Sequence, residues 1–335
     1  MSYTIENSKF VIFGNGYDGV RNDSGDGLNE PEIHPLSTPT HAAFDTSGEY
    51  VYLTGGSTIR KFRINPWEEV SVNLPQGSIY HPTNVENNIG IICHPPNNNG
   101  ITIFNLDTEE IITTFPTTAG YSFISDCMMD GDDIYLIQKT NGNATAALRH
   151  IDLANDTYSY TAIYGANSGF VDTDTIYNYR AGTWYSDPTY ANGYSLSYTS
   201  QWQGTYTTRA DYPVRFGGLC ADGYLYLPTF LNGEWVMGVY DGNSVPTFEP
   251  VPNPIRTYGN FGGDLSLVIS GRQYFSTCYN NGRTKAAFAT TIGTFVTDFT
   301  NKLTKITDDK DQPLAMCDHY FVAPKGINQV IVYKV

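Results

Sequence analysis

Three features of the sequence predict an all-β fold made of seven small, similar sheets. The first is composition: 26 Tyr, 17 Phe and 32 Gly stand against only 16% charged residues, so aromatic side chains supply buried area and glycines supply turns. The second is that no stretch keeps the apolar period of a packed helix over the dozen residues such a helix needs. The third is a repeat of turn signals. Asn-Gly pairs suit a type I′ hairpin turn, whose two central residues both need positive φ. They stand at Asn99-Gly100, Asn141-Gly142, Asn192-Gly193, Asn232-Gly233 and Asn281-Gly282, and Gly55-Gly56 and Lys325-Gly326 extend the series.

Gly56, Gly100, Gly142, Gly193, Gly233, Gly282 and Gly326 recur at a mean of about 45 residues, the period of a propeller blade of four short strands. An aromatic or β-branched run precedes each turn (EYVYLT, IGIICH, DDIYLIQ, GTWYSD, YLYLPTF, QYFSTCY, HYFVAP) and another follows it. Seven repeats account for all but about 20 of the 335 residues, and the surplus is an acidic, Gly- and Asn-rich insertion at about 15–36. The prediction is therefore one seven-bladed β-propeller over 1–335. The last repeat stops after its third strand, and KFVIF (9–13) supplies the fourth. An N-terminal strand thus completes the last blade and removes two open sheet edges.

Pro39 to Phe62, PTHAAFDTSGEYVYLTGGSTIRKF, resembles a blade of the YVTN, NHL and WD40-type propellers: an inner strand, a small turn, an aromatic strand and a Gly-containing hairpin follow one another. Gly100 to Phe115, GITIFNLDTEEIITTF, is similar to the second half of such a blade. The Trp-Asp signature of WD40 blades is missing. The resemblance implies the fold and carries over no functional residue, because these propellers host binding platforms, lectins and enzymes alike.

Lys and Arg number 19 against 34 Asp and Glu, a formal charge of -15. That excess repels nucleic-acid phosphates and anionic membrane surfaces and argues against both as partners. No run of 18 apolar residues is available to span a bilayer. The opening MSYTIENSKFVIFG lacks the basic and apolar regions of a secretory leader, so synthesis in the cytoplasm without a signal peptide is expected. Cys93, Cys127, Cys220, Cys278 and Cys317 are odd in number and widely spaced, which fits buried core thiols better than a disulfide or zinc framework.

In a four-stranded blade the second-to-third-strand hairpins and the crossovers to the next blade share one face. The hairpin set is 94–100, 139–143, 185–193, 230–235 and 279–283; the crossover set is 15–39, 76–82 and 251–259. This face is rich in Asn, Tyr, Trp and Pro. Trp184, Tyr185, Asp187, Tyr190 and Asn192, in the aromatic fourth repeat, together with Trp235, are the candidate ligand contacts, since aromatic rings beside amides and carboxylates suit sugar rings or a protein partner.

The insertion carries Asp18, Asp23, Asp26, Glu30 and Glu32, a set of oxygen ligands for Ca²⁺, the one cofactor the sequence admits. Its spacing misses the EF-hand, with Ile33 where the bidentate Glu belongs. His34, His81 and His94, each before proline, are a candidate metal or acid–base cluster. The match Gly14-Asn15-Gly16-Tyr17-Asp18-Gly19 to G-x-G-x-x-G lacks the helix start that would hold a pyrophosphate.

No nucleophile elbow, P-loop, H-E-x-x-H or sialidase box occurs. The sequence therefore predicts a non-enzymatic binding or assembly module, a viral or phage structural protein of the tail or capsid exterior that contacts a glycan or a neighbouring protein. The alternative is a propeller carbohydrate-active enzyme, hydrolase or lyase.

Overall fold

The computed structural model of the chain describes residues 10–14, 39–65, 68–94, 100–116, 121–140, 145–164, 168–171, 175–180, 183–188, 219–222, 224–240, 254–263, 265, 277–310, 312–324 and 329–335. Every regular element among them is a β-strand. The chain divides into two compact units. Met1–Ala119, Ser276–Ala289 and Asp311–Val335 make the first, and Gly120–Phe275 with Thr290–Lys310 make the second.

In the first unit, after β1 (Phe10–Gly14), strands β2 (Pro39–Phe44), β3 (Tyr50–Gly55), β4 (Thr58–Arg63) and β5 (Glu68–Val70) form one antiparallel sheet in chain order. β6 (Ser78–Tyr80), β7 (Ile89–Cys93), β8 (Gly100–Asn105) and β9 (Ile111–Pro116) form the next. The second unit holds β10 (Tyr121–Asp130), β11 (Asp133–Thr140), β12 (Thr145–Asp152) and β13 (Thr157–Tyr164) as one sheet. It also holds a three-stranded sheet of β14 (Ser168–Val171), β15 (Thr175–Arg180) and β16 (Thr183–Pro188). A further sheet there is β17 (Leu219–Ala221), β18 (Tyr224–Leu231), β19 (Glu234–Tyr240) and β20 (Arg256–Tyr258). Another sheet is β21 (Thr277–Tyr279), β22 (Ala286–Thr290), β23 (Gly293–Thr297) and β24 (Leu303–Thr307). The last sheet, in the first unit, is β25 (Ala315–Met316), β26 (Tyr320–Pro324), β27 (Gln329–Lys334) and then β1. β1 pairs with β27 from Phe10 opposite Tyr333 to Gly14 opposite Gln329. Meanders of four strands repeated in chain order are the blades of a β-propeller.

Strand β3 of sheet β2–β5 shows why the run before a turn is apolar on both faces rather than alternating. Ala42, Phe44, Val51, Leu53, Phe62 and Ile64 pack on Ala315, Val322, Val330 and Val332. Their neighbours Ala43, Tyr52 and Ile59 belong to a second cluster with Ile79, Ile92, Phe104 and Leu106. Successive side chains point to opposite faces of a strand, and at β3 both faces are covered, so Val51, Tyr52 and Leu53 in succession are apolar or aromatic. Gly90 lies opposite Phe104 across β7 and β8. A Cβ at Gly90 would sit 2.3 Å from the Phe104 ring, so only glycine leaves room for that buried side chain.

The fully buried Tyr52 keeps a polar tip inside this packing. Its single O–H donates to the Leu106 carbonyl at 2.7 Å, with Glu109 Oε1 a second acceptor 3.2 Å away, as a buried phenol must find a partner. Burial, and then the Glu109 carboxylate, raise its pKa far above the usual phenol range. Glu109 in turn accepts from Lys61 Nζ at 2.9 Å, and that ammonium lies 4.9 Å from the ring centres of both Tyr50 and Tyr52.

Of the turn assignments made from the Asn-Gly pattern, the strand pairing corrects the one at Asn281-Gly282. In the three-stranded sheet, Arg180 lies opposite Thr183 and Thr175 opposite Pro188, so TWYSDP pairs backward with β15, while Asn192-Gly193 lies outside the described residues. Asn281-Gly282 joins β21 to β22, the first strand of its sheet to the second. The next hairpin, between β22 and β23, has no Asn-Gly pair. Instead the Thr290 hydroxyl donates to the Gly293 carbonyl at 2.7 Å and accepts from the Ile292 amide at 3.2 Å, which closes the turn by a side chain.

Replacing Tyr52 by Phe keeps the ring and removes the hydroxyl that ties β3 to the end of β8. Stability should fall by about 1–2 kcal/mol, read as a lower urea midpoint with an unchanged slope.

Candidate functional site

The β18–β19 hairpin in the second unit turns as its sequence dictates. Leu231 lies opposite Glu234, and the two residues between them, Asn232 and Gly233, have φ of 52° and 87°, the left-handed pair of a type I′ turn. Phe230 and Trp235 face each other one step down, with ring centres 5.4 Å apart and planes tilted by 53°. Trp235 is 8% exposed and Phe230 49% exposed, so Trp235 is the support and Phe230 the ring that meets solvent.

The chain leaving β20 folds against this tip. The Phe261 amide donates to the Trp235 carbonyl at 2.9 Å, and the buried Phe261 ring lies 5.1 Å from Phe295. Gly259 and Gly262, with φ of 62° and 70°, make the bends that bring it there. Asn260 sits between them: its Oδ1 accepts from the Gly262 amide at 2.7 Å, and its Nδ2 donates to Glu234 Oε2 at 3.0 Å. A second-to-third-strand hairpin and the segment that follows a fourth strand therefore do meet at one end of this sheet. Together they present an apolar ring, a carboxylate held by an amide, and the exposed Asn232. Such a set can stack on an apolar face and exchange hydrogen bonds with hydroxyl or amide groups.

Of the ligand contacts expected from sequence, Trp184, Tyr185 and Asp187 fall within β16, opposite Tyr179, Asn178 and Ile176. Tyr190 and Asn192 lie outside the described residues, as do Asp18, Asp23, Asp26, Glu30, Glu32 and His34. Among the described residues no group of three His, Cys, Asp or Glu side chains is placed to hold a metal ion. Sequence reasoning missed Phe230, Glu234 and Asn260. The register of the Asn-Gly hairpin could have found the first, because it sets Phe230 directly across from Trp235.

His81 and His94 do not converge. Tyr80 pairs with Ile91 and Ser78 with Cys93, so the two histidines leave opposite ends of the same strand pair. His94 contacts Thr102 Oγ1 at 2.7 Å and the Gln76 carbonyl at 3.1 Å. His81 begins the long link from β6 to β7, which is bonded to the β21–β22 link. Asn281 Nδ2 donates to the Asn87 carbonyl at 2.7 Å and its Oδ1 accepts from the Asn87 amide at 3.1 Å. Arg283 Nε donates to Thr83 Oγ1 at 3.1 Å, its guanidinium 4.1 Å from the centre of the Tyr279 ring. Asn280 Nδ2 reaches Asp318 at 2.7 Å. In the first unit, three first-to-second-strand links are thus fastened together by side chains.

No family model and no curated protein matches the chain. Among solved structures, it is similar to Hsv2 of Kluyveromyces lactis (9% identity, TM-score 0.49, covering 85% of this chain and 89% of that one). It is also similar to the β-propeller domain of Cps50 (Swd1) from Myceliophteria thermophila (9%, 0.49, 89% and 97%). A third similarity is to the C-terminal WD40 domain of Sif2 (10%, 0.48, 91% and 97%). Identities this low transfer no residue roles.

His41 and His81 are both held neutral, burial lowering each pKa from 6.5 to about 4. In the unfolded chain they protonate near 6.5. Their contribution to stability is therefore complete above pH 6.5 and is lost as the pH falls toward 4. Urea midpoints should drop across that window, and His81→Asn should remove one proton from the linkage; a midpoint as high at pH 4.5 as at pH 7 would contradict the buried neutral state.

Proposed function

We propose that this chain is a non-enzymatic binding module, a structural protein on the tail or capsid exterior of a virus or phage, which contacts a glycan through loops at the hairpin-tip end of its sheets. The observation that carries this reading is the tip itself. Phe230 is half exposed and backed by a buried Trp235, and the carboxylate beside it is oriented by Asn260. A sugar presents an apolar face of C–H groups ringed by hydroxyls, and a rigid aromatic ring with a fixed acceptor at its edge is complementary to both. The cost of ordering these groups is met in folding rather than in binding, because the turn, the Asn260 bond and the Phe261 amide already fix them. The assignment to a virion rests on composition: few Lys and Arg, abundant Tyr, Asn, Thr and Gly.

A glycan array probed with the wild-type chain and with Phe230→Ala and Glu234→Gln tests the reading. Both substitutions are at the surface and should leave stability within about 0.5 kcal/mol. Phe230→Ala should weaken any retained glycan by about tenfold or more, as loss of an aromatic anchor does. Binding that both variants retain in full would place the contact elsewhere, and release of reducing sugar would make the chain an enzyme. A fixed copy number in purified particles is expected; absence from them would remove the virion assignment.

A further inference from the structure

The register of the β18–β19 tip and the charge on it both constrain what can bind there. Successive residues of a strand alternate in face. Phe230 and its cross-strand partner Trp235 therefore project from one face of the hairpin, and Glu234 with its partner Leu231 from the other. Between the two faces lies only the short loop. Asn232 is exposed, and a Cβ built on Gly233 would meet no atom within 4 Å, so the end of the hairpin is open. A single sugar lying flat on Phe230 covers one face. A ligand that also reaches Glu234 has to pass around the loop, and that takes more than one linked unit.

Glu234 is exposed, and among the described residues its carboxylate is held by Asn260 Nδ2 at 3.0 Å. A neutral amide orients a carboxylate without cancelling its charge. The cations of the neighbouring strands are committed elsewhere. Arg256 donates to the carbonyls of Phe299 and Thr300, each at 2.7 Å, and Lys305 Nζ lies 2.5 Å from Asp308. The negative charge of the tip thus faces solvent, on a chain whose net charge is -15. A sugar bearing a carboxylate or a sulfate is repelled on both counts, whereas a protonated amine gains a charge-assisted hydrogen bond.

We infer that the ligand of this tip is an oligosaccharide carrying free amines: one unit stacks on Phe230, and the protonated amine of a linked unit meets Glu234 across the loop. The inference rests on the glycan reading of the same tip and narrows it to a chemical class. Phe230 supplies the stacking that any glycan would share, and Glu234 is the residue that selects the amine and turns acidic sugars away.

The test is calorimetric titration of the full chain at about pH 6, below the pKa of an ordinary amine. The probes are a glucosamine tetramer, the same tetramer fully N-acetylated, monomeric glucosamine, a sialylated oligosaccharide and a tetralysine peptide. The glucosamine tetramer should bind at least about tenfold more tightly than any other probe, with an advantage over the N-acetylated tetramer that shrinks in high salt. The sialylated probe should bind more weakly than the N-acetylated one. Glu234→Gln keeps an acceptor for Asn260 and changes the net charge by one, so it should abolish the preference for the amine and leave the affinity for the N-acetylated tetramer unchanged. Attraction by the acidic surface as a whole would survive that variant. Phe230→Ala should weaken both tetramers. If no glycan binds, the glycan reading falls and this inference with it. An N-acetylated tetramer or a monomer that binds as tightly as the glucosamine tetramer, or an amine preference that survives Glu234→Gln, overturns the inference and leaves the glycan reading standing. Equal binding of tetralysine overturns it in favour of a basic protein segment.

Discussion

A small sheet with two apolar faces cannot be finished by itself, and that constraint governs the rest of this structure. Strand β3 offers Val51 and Leu53 to one cluster and Tyr52 to another, so its sheet is stable only while neighbours cover it on both sides. Burying such side chains contributes roughly 1.5–3 kcal/mol each, far more than the hydrogen bonds that trim the edges. Three of the polar exceptions show how burial is accommodated. The Tyr52 hydroxyl meets the Leu106 carbonyl, and His41 and His81 give up their charge. Cys93, Cys127 and Cys278 are buried and in no disulfide, and burial pushes the thiol of Cys278 far above its ordinary range.

With the sheets fixed, their connections are free to differ, and side chains decide what each becomes. At the β18–β19 tip an Asn-Gly turn and an Asn260 bond hold a ring and a carboxylate outward. In the first unit the Asn87–Asn281 pair, Arg283 and Asp318 turn the same residue types inward, fastening one link to another. Amide-rich loops are thus of two kinds here. Some present hydrogen-bonding groups to solvent, and others spend them on each other.

Composition and the recurring turns made the all-β, bladed architecture readable in the sequence, because both record the burial constraint directly. Asn232-Gly233 adopts the conformation its residues favour. Asn281-Gly282 does not, since six residues separate Tyr279 from Ala286, and Arg283 rather than the Asn-Gly pair takes the left-handed conformation, with φ of 52°. The hairpin it was expected to mark is closed by the Thr290 hydroxyl, a signal no turn dipeptide carries. The site was half readable for a related reason. Sequence singles out Trp235 for its size, but which member of a cross-strand pair is covered depends on the segment around Phe261, more than twenty residues further along.

The first unit is assembled from three separated stretches of chain. The face formed by Val51 and Leu53 waits for Ala315, Val322, Val330 and Val332. At about 5–20 residues per second of translation, the ribosome needs on the order of ten seconds or more between releasing one side of this core and making the other. For that interval an oily sheet surface stands uncovered on the nascent chain, the kind of surface that molecular chaperones hold.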